Sequence, residues 1–85
     1  MIRFRVAIQV VPRRGLLDPQ GKAVTDALHT LGFVSVFSVH VGRHLVVELE
    51  ARDEAAAHSL AGEMCQRLLA NPVTEDFTIA SVTPA

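Results

Sequence analysis

Four histidines, one cysteine and the carboxylate pairs Glu48/Glu50 and Asp53/Glu54 are the residues of this chain that first suggest chemistry by their type and position. A zinc site would need three or four convergent ligands. His40 and His44 are near in sequence, but a tight turn at Gly42-Arg43 would put them on opposite faces of a hairpin. His29 and His58 fall on the polar sides of two helices, so the histidines read as solvated surface groups. Cys65, in Met64-Cys65-Gln66-Arg67, lies beside an apolar helical stripe. A catalytic thiolate needs a base and an electropositive, partly open setting; nothing near Cys65 supplies one, and it reads as buried filler. Glu48 and Glu50 share one face of a strand and suit acid–base work in principle. Arg3 and Arg5 are expected on the same face, where charge pairing is the simpler reading. Asp53-Glu54 reads as a helix cap with a favourable charge beside it.

The local basic concentration is Arg13-Arg14-Gly15 with Lys22. A helix starting at Pro19 would offer free N–H groups to a phosphate. The chain lacks a GxxxxGK[ST] loop, however, and Asp18 at the cap would compete with an anion. Arg13, Arg14 and Lys22 therefore read as a solvated or partner-docking loop. Overall, Lys+Arg 8 against Asp+Glu 9 leaves a net charge of −1, without the basic excess of a nucleic-acid binder. No apolar run is long enough to span a bilayer. The opening Met-Ile-Arg-Phe-Arg-Val carries charges where a signal peptide would be apolar. A single cysteine excludes an intrachain disulfide, so a reducing, cytoplasmic setting is the expectation.

These residues must be positioned by a small scaffold. The 85 residues read as a single domain, 1–85. A chain this short buries only about 60–65% of its unfolded surface, which makes a lone core marginal and a partner welcome. Residues 2–11 alternate strictly: Ile2, Phe4, Val6, Ile8 and Val10 on one face, predicting a strand. Asp18-Pro19 opens a helix whose stripe is Val24, Ala27, Leu28 and Leu31, stopped by Gly32. Residues 33–41 and 44–51 predict a hairpin around Gly42-Arg43. Asp53 caps a second helix with a buried stripe of Ala57, Leu60, Ala61, Met64 and Leu68, ended by Asn71-Pro72. Residues 76–82 predict the last strand. The order βαββαβ points to an α+β ferredoxin-like sandwich, a four-stranded sheet with both helices on one face.

In that hairpin register, Val34, Val36, Leu45, Val47 and Leu49 face the helices. Phe37, Val39, Val41 and Val46 share the open face, an apolar patch of the kind that marks an interface. A homodimer through these four residues is the expectation. The same βαββαβ order serves other functions. RNA-recognition domains stack bases on strand aromatics, but Phe4 faces the core. Metallochaperones of this order use a CxxC loop, absent here, and Arg13-Arg14-Gly15 matches an acylphosphatase loop poorly.

Several stretches carry a specific likeness. Leu17-Asp18-Pro19-Gln20-Gly21-Lys22-Ala23-Val24 opens the first helix, and Ala27-Leu28 through Leu31-Gly32-Phe33 closes it. Val39-His40-Val41-Gly42-Arg43 forms the turn, and Met64-Cys65 leads into Leu68-Leu69-Ala70-Asn71-Pro72-Val73-Thr74-Glu75-Asp76-Phe77. Over nearly the whole chain these resemble the PurS family, the small subunit of phosphoribosylformylglycinamidine synthase in purine biosynthesis. The family usually has Arg where His40 stands and Lys where Arg43 stands.

The resemblance implies a dimeric small subunit of a glutamine-dependent carbon–nitrogen ligase, with no catalytic residues and no cofactor of its own. A large synthetase subunit would use ATP and magnesium, and a glutaminase subunit would release ammonia. The small subunit would join them and support ammonia transfer. It also adds Gln20 and Arg43 to the docking candidates Arg13, Arg14 and Lys22. The alternative is an ACT-like domain that senses a small molecule, which shares the βαββαβ order; Gly15 is a weak echo of its glycine-containing first loop.

Overall fold

The alternating stretch at the N-terminus becomes the central strand. In the computed structural model, which describes residues 1–16 and 18–85, β1 (Ile2–Pro12) is flanked by β2 (Arg43–Ala51) and β3 (Glu75–Pro84), both antiparallel to it. Leu17, the first residue of the family-like segment, lies outside the described residues. Helix α1 (Pro19–Thr30) joins β1 to β2; α2 (Glu54–Met64), followed by a π-helical turn at Cys65–Leu69, joins β2 to β3.

Phe4, Val6, Ile8 and Val10 are all buried, and they meet α2 through Ala57 and Ala61 together with Cys65 and Ala70. Alanines at the contact let the helix approach the sheet closely. Burying each large β1 side chain contributes roughly 1.5–3 kcal/mol. Leu45, Val47 and Leu49 face the same core, as their alternation predicts. On β3 the inward residues are Phe77, Ile79 and Val82, a change from odd to even positions. A bulge explains it: Ile8 pairs with Ile79 but Ala7 with Ser81, leaving Ala80 as the extra residue.

Of the predicted stripe of α2, Ala57 and Ala61 are buried and Met64 is half-buried, but Leu60 is 41% exposed, and beyond Met64 the inward face shifts. The π-turn inserts one residue, shown by the Ala70 N–H donating to the Cys65 carbonyl at 3.0 Å. Leu69 therefore takes the inward position expected for Leu68, which is left 82% exposed.

The larger departure is at residues 33–41. The predicted strand is absent, so the described sheet has three strands rather than four, and the Gly42-Arg43 hairpin does not form. Gly42 does not adopt the positive φ that a two-residue hairpin turn requires. It serves close approach instead, since a Cβ there would collide with the carbonyl of Val10. A strand needs a neighbour for its backbone groups, and this segment finds α1. Thr25 Oγ1 accepts from the Val39 N–H at 2.9 Å, Asp18 Oδ2 from the Val41 N–H at 3.1 Å, and His29 Nε2 donates to the Val36 carbonyl at 2.7 Å.

Helix α1 and this segment form an arm. Among the described residues α1 makes no substantial contact with the sheet or α2, so the helices do not share one face of the sheet. Its buried residues are Gly21 and Thr25, and the predicted stripe is uncovered, with Leu31 73% exposed. The stop at Gly32 is as expected: φ is 97°, with Phe33 N–H donating to Leu28 O and Gly32 N–H to His29 O, a Schellman closure. The arm makes the molecule long, 52 × 25 × 14 Å, with a radius of gyration of 16.3 Å. A compact chain of this length would have about 12 Å. No helix among the described residues is long and apolar enough to cross a membrane.

Candidate partner-docking surface

At one end of the sheet β1 exits while β2 and β3 begin, and charged side chains gather there. Arg43 Nη2 donates to Glu75 Oε1 at 2.7 Å and to the Leu69 carbonyl at 3.0 Å. Glu75 Oε1 also accepts from the Asn71 N–H at 2.8 Å, and the Glu75 N–H returns to the Asn71 carbonyl at 2.8 Å. The Asn71 N–H bond, then Arg43, holds the Glu75 carboxyl below its ordinary range. This clasp ties the end of the π-turn and the Asn71-Pro72 loop to the start of β2. Beside it Arg13 pairs with Asp76 at 3.3 Å, and the Arg13 N–H donates to the Thr74 carbonyl at 2.9 Å. A recess of about 470 Å³ opens here, lined by Arg13, Gln66, Pro72, Glu75 and Asp76, with Cys65 at its floor.

The root of the arm is organised by Asp18. One carboxylate oxygen caps α1 by accepting from the Gly21 N–H at 3.0 Å, and the other accepts from Val41, with His40 Nδ1 3.6 Å away. The Gly21 and Val41 N–H bonds, with a smaller contribution from His40, lower the Asp18 pKa. Gly21 is required because a Cβ would strike the Val39 carbonyl and the Asp18 carboxylate. The Asp18-Pro19-Gln20-Gly21 segment thus has a physical reason: cap, first helical residue, one exposed position, and a glycine pressed against the returning chain.

The docking candidates divide between these two places. Arg13 and Arg43 sit at the sheet end, each paired with a carboxylate. Arg14 is exposed and makes no ion pair among the described residues. Gln20 is exposed on the first turn of α1, and Lys22 pairs with Asp26 at 3.2 Å one turn away. Of the interface candidates, Phe37, Val39 and Val41 lie on the arm, with Phe37 99% exposed, while Val46 lies on the sheet opposite Ala7. They do not form one sheet face, because the hairpin that would have aligned them is absent.

The remaining candidates are placed by the sheet. Arg3 faces Glu50 and Arg5 faces Glu48 across β1 and β2, at 3.8 and 3.6 Å, so these carboxylates are charge-paired on the open face. Cys65 is fully buried, and desolvation pushes its thiol up, which keeps it protonated near neutral pH. No group of three metal-ligating side chains converges among the described residues. What the arrangement offers is recognition: ionic groups at a rigid sheet end and an arm that projects from it. Sequence reasoning missed Glu75 and Thr25. The four-residue spacing from Asn71 to Glu75 was a usable hint; the Thr25 hydroxyl, on the side of α1 away from the stripe, gave none.

Known proteins share this fold. Residues 5–83 match the family model described as PurS: phosphoribosylformylglycinamidine (FGAM) synthase. The chain is 40% identical over 74 residues to the PurS subunit of Synechocystis sp., covering 87% of this chain and 74% of that protein. The Bacillus subtilis PurS structure superposes with a TM-score of 0.80 at 37% identity, covering 93% of this chain and 96% of that one. A chain of the PurLQS structure from Thermotoga maritima matches with a TM-score of 0.81 at 28% identity over 100% of both. Sequence, fold and extent agree in favour of this family over the ACT-like alternative, and this chain belongs to the PurS family of phosphoribosylformylglycinamidine synthase subunits.

Proposed function

We propose that this chain is the small, homodimeric, non-catalytic subunit of the synthase. In this reading it joins the ATP-dependent synthetase subunit to the glutaminase subunit and supports ammonia transfer between them, in the cytoplasm. The reaction served is conversion of formylglycinamide ribonucleotide, glutamine and ATP to formylglycinamidine ribonucleotide. The observation that carries the reading is the end-to-end match to a chain of PurLQS. No cofactor belongs to this chain; ATP and magnesium are used by the large subunit.

The docking surface in this reading is the sheet end and arm root: Arg13, Arg14, Gln20, Lys22 and Arg43. Replacing Arg13 and Arg14 together by Ala removes one exposed pair with Asp76, worth under about 1 kcal/mol. Fold and dimer are expected to survive. Glutamine-dependent synthesis by the reconstituted complex is expected to fall, while ammonia-dependent synthesis by the large subunit is spared. Wild-type assembly and glutamine turnover by the double variant would refute the docking role.

A further inference from the structure

The four cationic docking candidates differ in what their side chains have left to give. Arg43 spends Nη2 on two acceptors, Glu75 and the Leu69 carbonyl. Both edges by which a guanidinium grips a carboxylate with two bonds include Nη2, so Arg43 has no such edge to offer. Lys22 is a point charge without a fork, and Asp26 already pairs with it. Arg14 is exposed, and no ion pair among the described residues orients it. Arg13 alone of the four is both held and open. Its N–H donates to the Thr74 carbonyl at 2.9 Å, and Asp76 Oδ1 stands 3.3 Å from its Nε. Its terminal nitrogens Nη1 and Nη2 have no protein partner among the described residues, and the side chain is half exposed.

The surroundings of Arg13 suit a buried contact. It lines the 470 Å³ recess, where Cys65, Ala70 and Phe77 supply apolar surface and Pro72 belongs to the loop after the π-turn. That loop needs nothing from solvent for its donors. The Asn71 N–H bonds Glu75, the Val73 N–H bonds Asn71 Oδ1 at 3.0 Å, and the Thr74 and Glu75 N–H groups bond the Asn71 carbonyl at 3.2 and 2.8 Å. A partner covering the loop therefore leaves no N–H unpaired there. Charge decides what enters. Arg13, Arg14 and Arg43 stand against Glu75 and Asp76, a local positive excess in a chain whose net charge is −1. Resting on the docking reading above, we propose that Arg13 sets the partner chemistry: its Nη1/Nη2 edge takes the carboxylate of an acidic side chain on another subunit of the complex, whose methylene stem lies on the apolar lining of the recess. Arg43 neutralises Glu75 at 2.7 Å, and Asp76 sits at the Nε side, away from the open edge. Once covered, the two parallel charged bonds escape the solvent screening that keeps exposed pairs weak.

Arg13→Lys tests this, because lysine keeps the charge and the backbone bond to Thr74 but has no planar fork. Calorimetric titration of the chain into the other subunits of the complex should show association weakened roughly 10- to 100-fold. Circular dichroism and the sedimentation mass of the isolated chain should match wild type. Arg13→Gln, which offers an uncharged amide, should bind more weakly still. An Arg13→Lys variant that assembles like wild type overturns the fork, whereas the Arg13/Arg14 double alanine variant above decides the docking reading on its own. An Arg13→Gln variant that assembles like wild type points to a neutral acceptor and overturns the carboxylate. An altered mass of the isolated Arg13→Lys chain would place the contact between copies of this chain and overturn it too. The wild type gives a check that needs no variant: phenylglyoxal, which modifies arginine, should label Arg13 in the free chain and spare it in the complex, and equal labelling would count as refutation. Saturable binding of free glutamate or inorganic phosphate to the isolated chain below about 1 mM would show that a small anion, not a subunit, fills the recess.

Discussion

Replacing Thr25 by Val should loosen the arm and leave the core untouched. Thr25 is buried on α1, where its hydroxyl donates to the Gly21 carbonyl at 2.8 Å and accepts from the Val39 N–H at 2.9 Å. Valine keeps the shape and β-branching of threonine but removes the acceptor, leaving the Val39 N–H without its partner. An unsatisfied buried donor costs about 1–3 kcal/mol. This bond is only partly buried, so water recovers some of the loss, and about 1–2 kcal/mol is the expected cost. That corresponds to roughly 5- to 30-fold more frequent local opening. Amide hydrogen exchange, at a concentration where the oligomeric state matches wild type, reads it directly. Val39 and Val41 should exchange faster by that factor, while the amides of Val6 and Ile8, held in the β1 ladders, should not change. Thr25→Ser, which keeps both hydrogen bonds, should resemble wild type. Unchanged exchange at Val39, or acceleration spread evenly over β1, would refute the argument that the arm is held by these side-chain bonds and not by the core.

Acid should release both the arm and the clasp. The carboxyls of Asp18 and Glu75 have folded pKa values below their ordinary 3.8 and 4.5, so their stabilisation is complete above those values and is lost as pH falls through the lower folded ones. The thermal midpoint should be level between pH 7 and 5 and drop below pH 4, and Glu75→Gln should flatten that drop; a midpoint that holds to pH 3 would contradict it. Gly21→Ala should detach residues 36–41 from α1, since the added methyl meets backbone at Val39; wild-type amide protection at Val39 and Val41 would count against it. Cys65 should resist thiol reagents in the native protein and react quickly in denaturant, and Cys65→Ala should leave glutamine turnover by the complex unchanged; rapid native labelling would show that the thiol is not sealed in the core.

What the sequence determined by itself is whatever depends on near neighbours along the chain. Strict alternation over Ile2–Val10 specified the central strand and its buried face, because period two admits one set of side chains inward. Asp18 and Asp53 marked both helix starts, and Gly32 the end of α1, since capping is a contact over three or four residues. The family was legible for the same reason: Asp18-Pro19-Gln20-Gly21 and Leu68-Leu69-Ala70-Asn71-Pro72-Val73 are local signatures. Tertiary structure decided the rest. Residues 33–41 alternate like a strand, but a strand exists only beside a partner, and here α1 side chains take the backbone groups instead. The stripe of α1 is as apolar as that of α2, yet periodicity says only that a face must be covered, not by which chain. The π-turn at Cys65 and the bulge at Ala80 each shift a buried face by one residue, a choice made by packing against the sheet that no local pattern records.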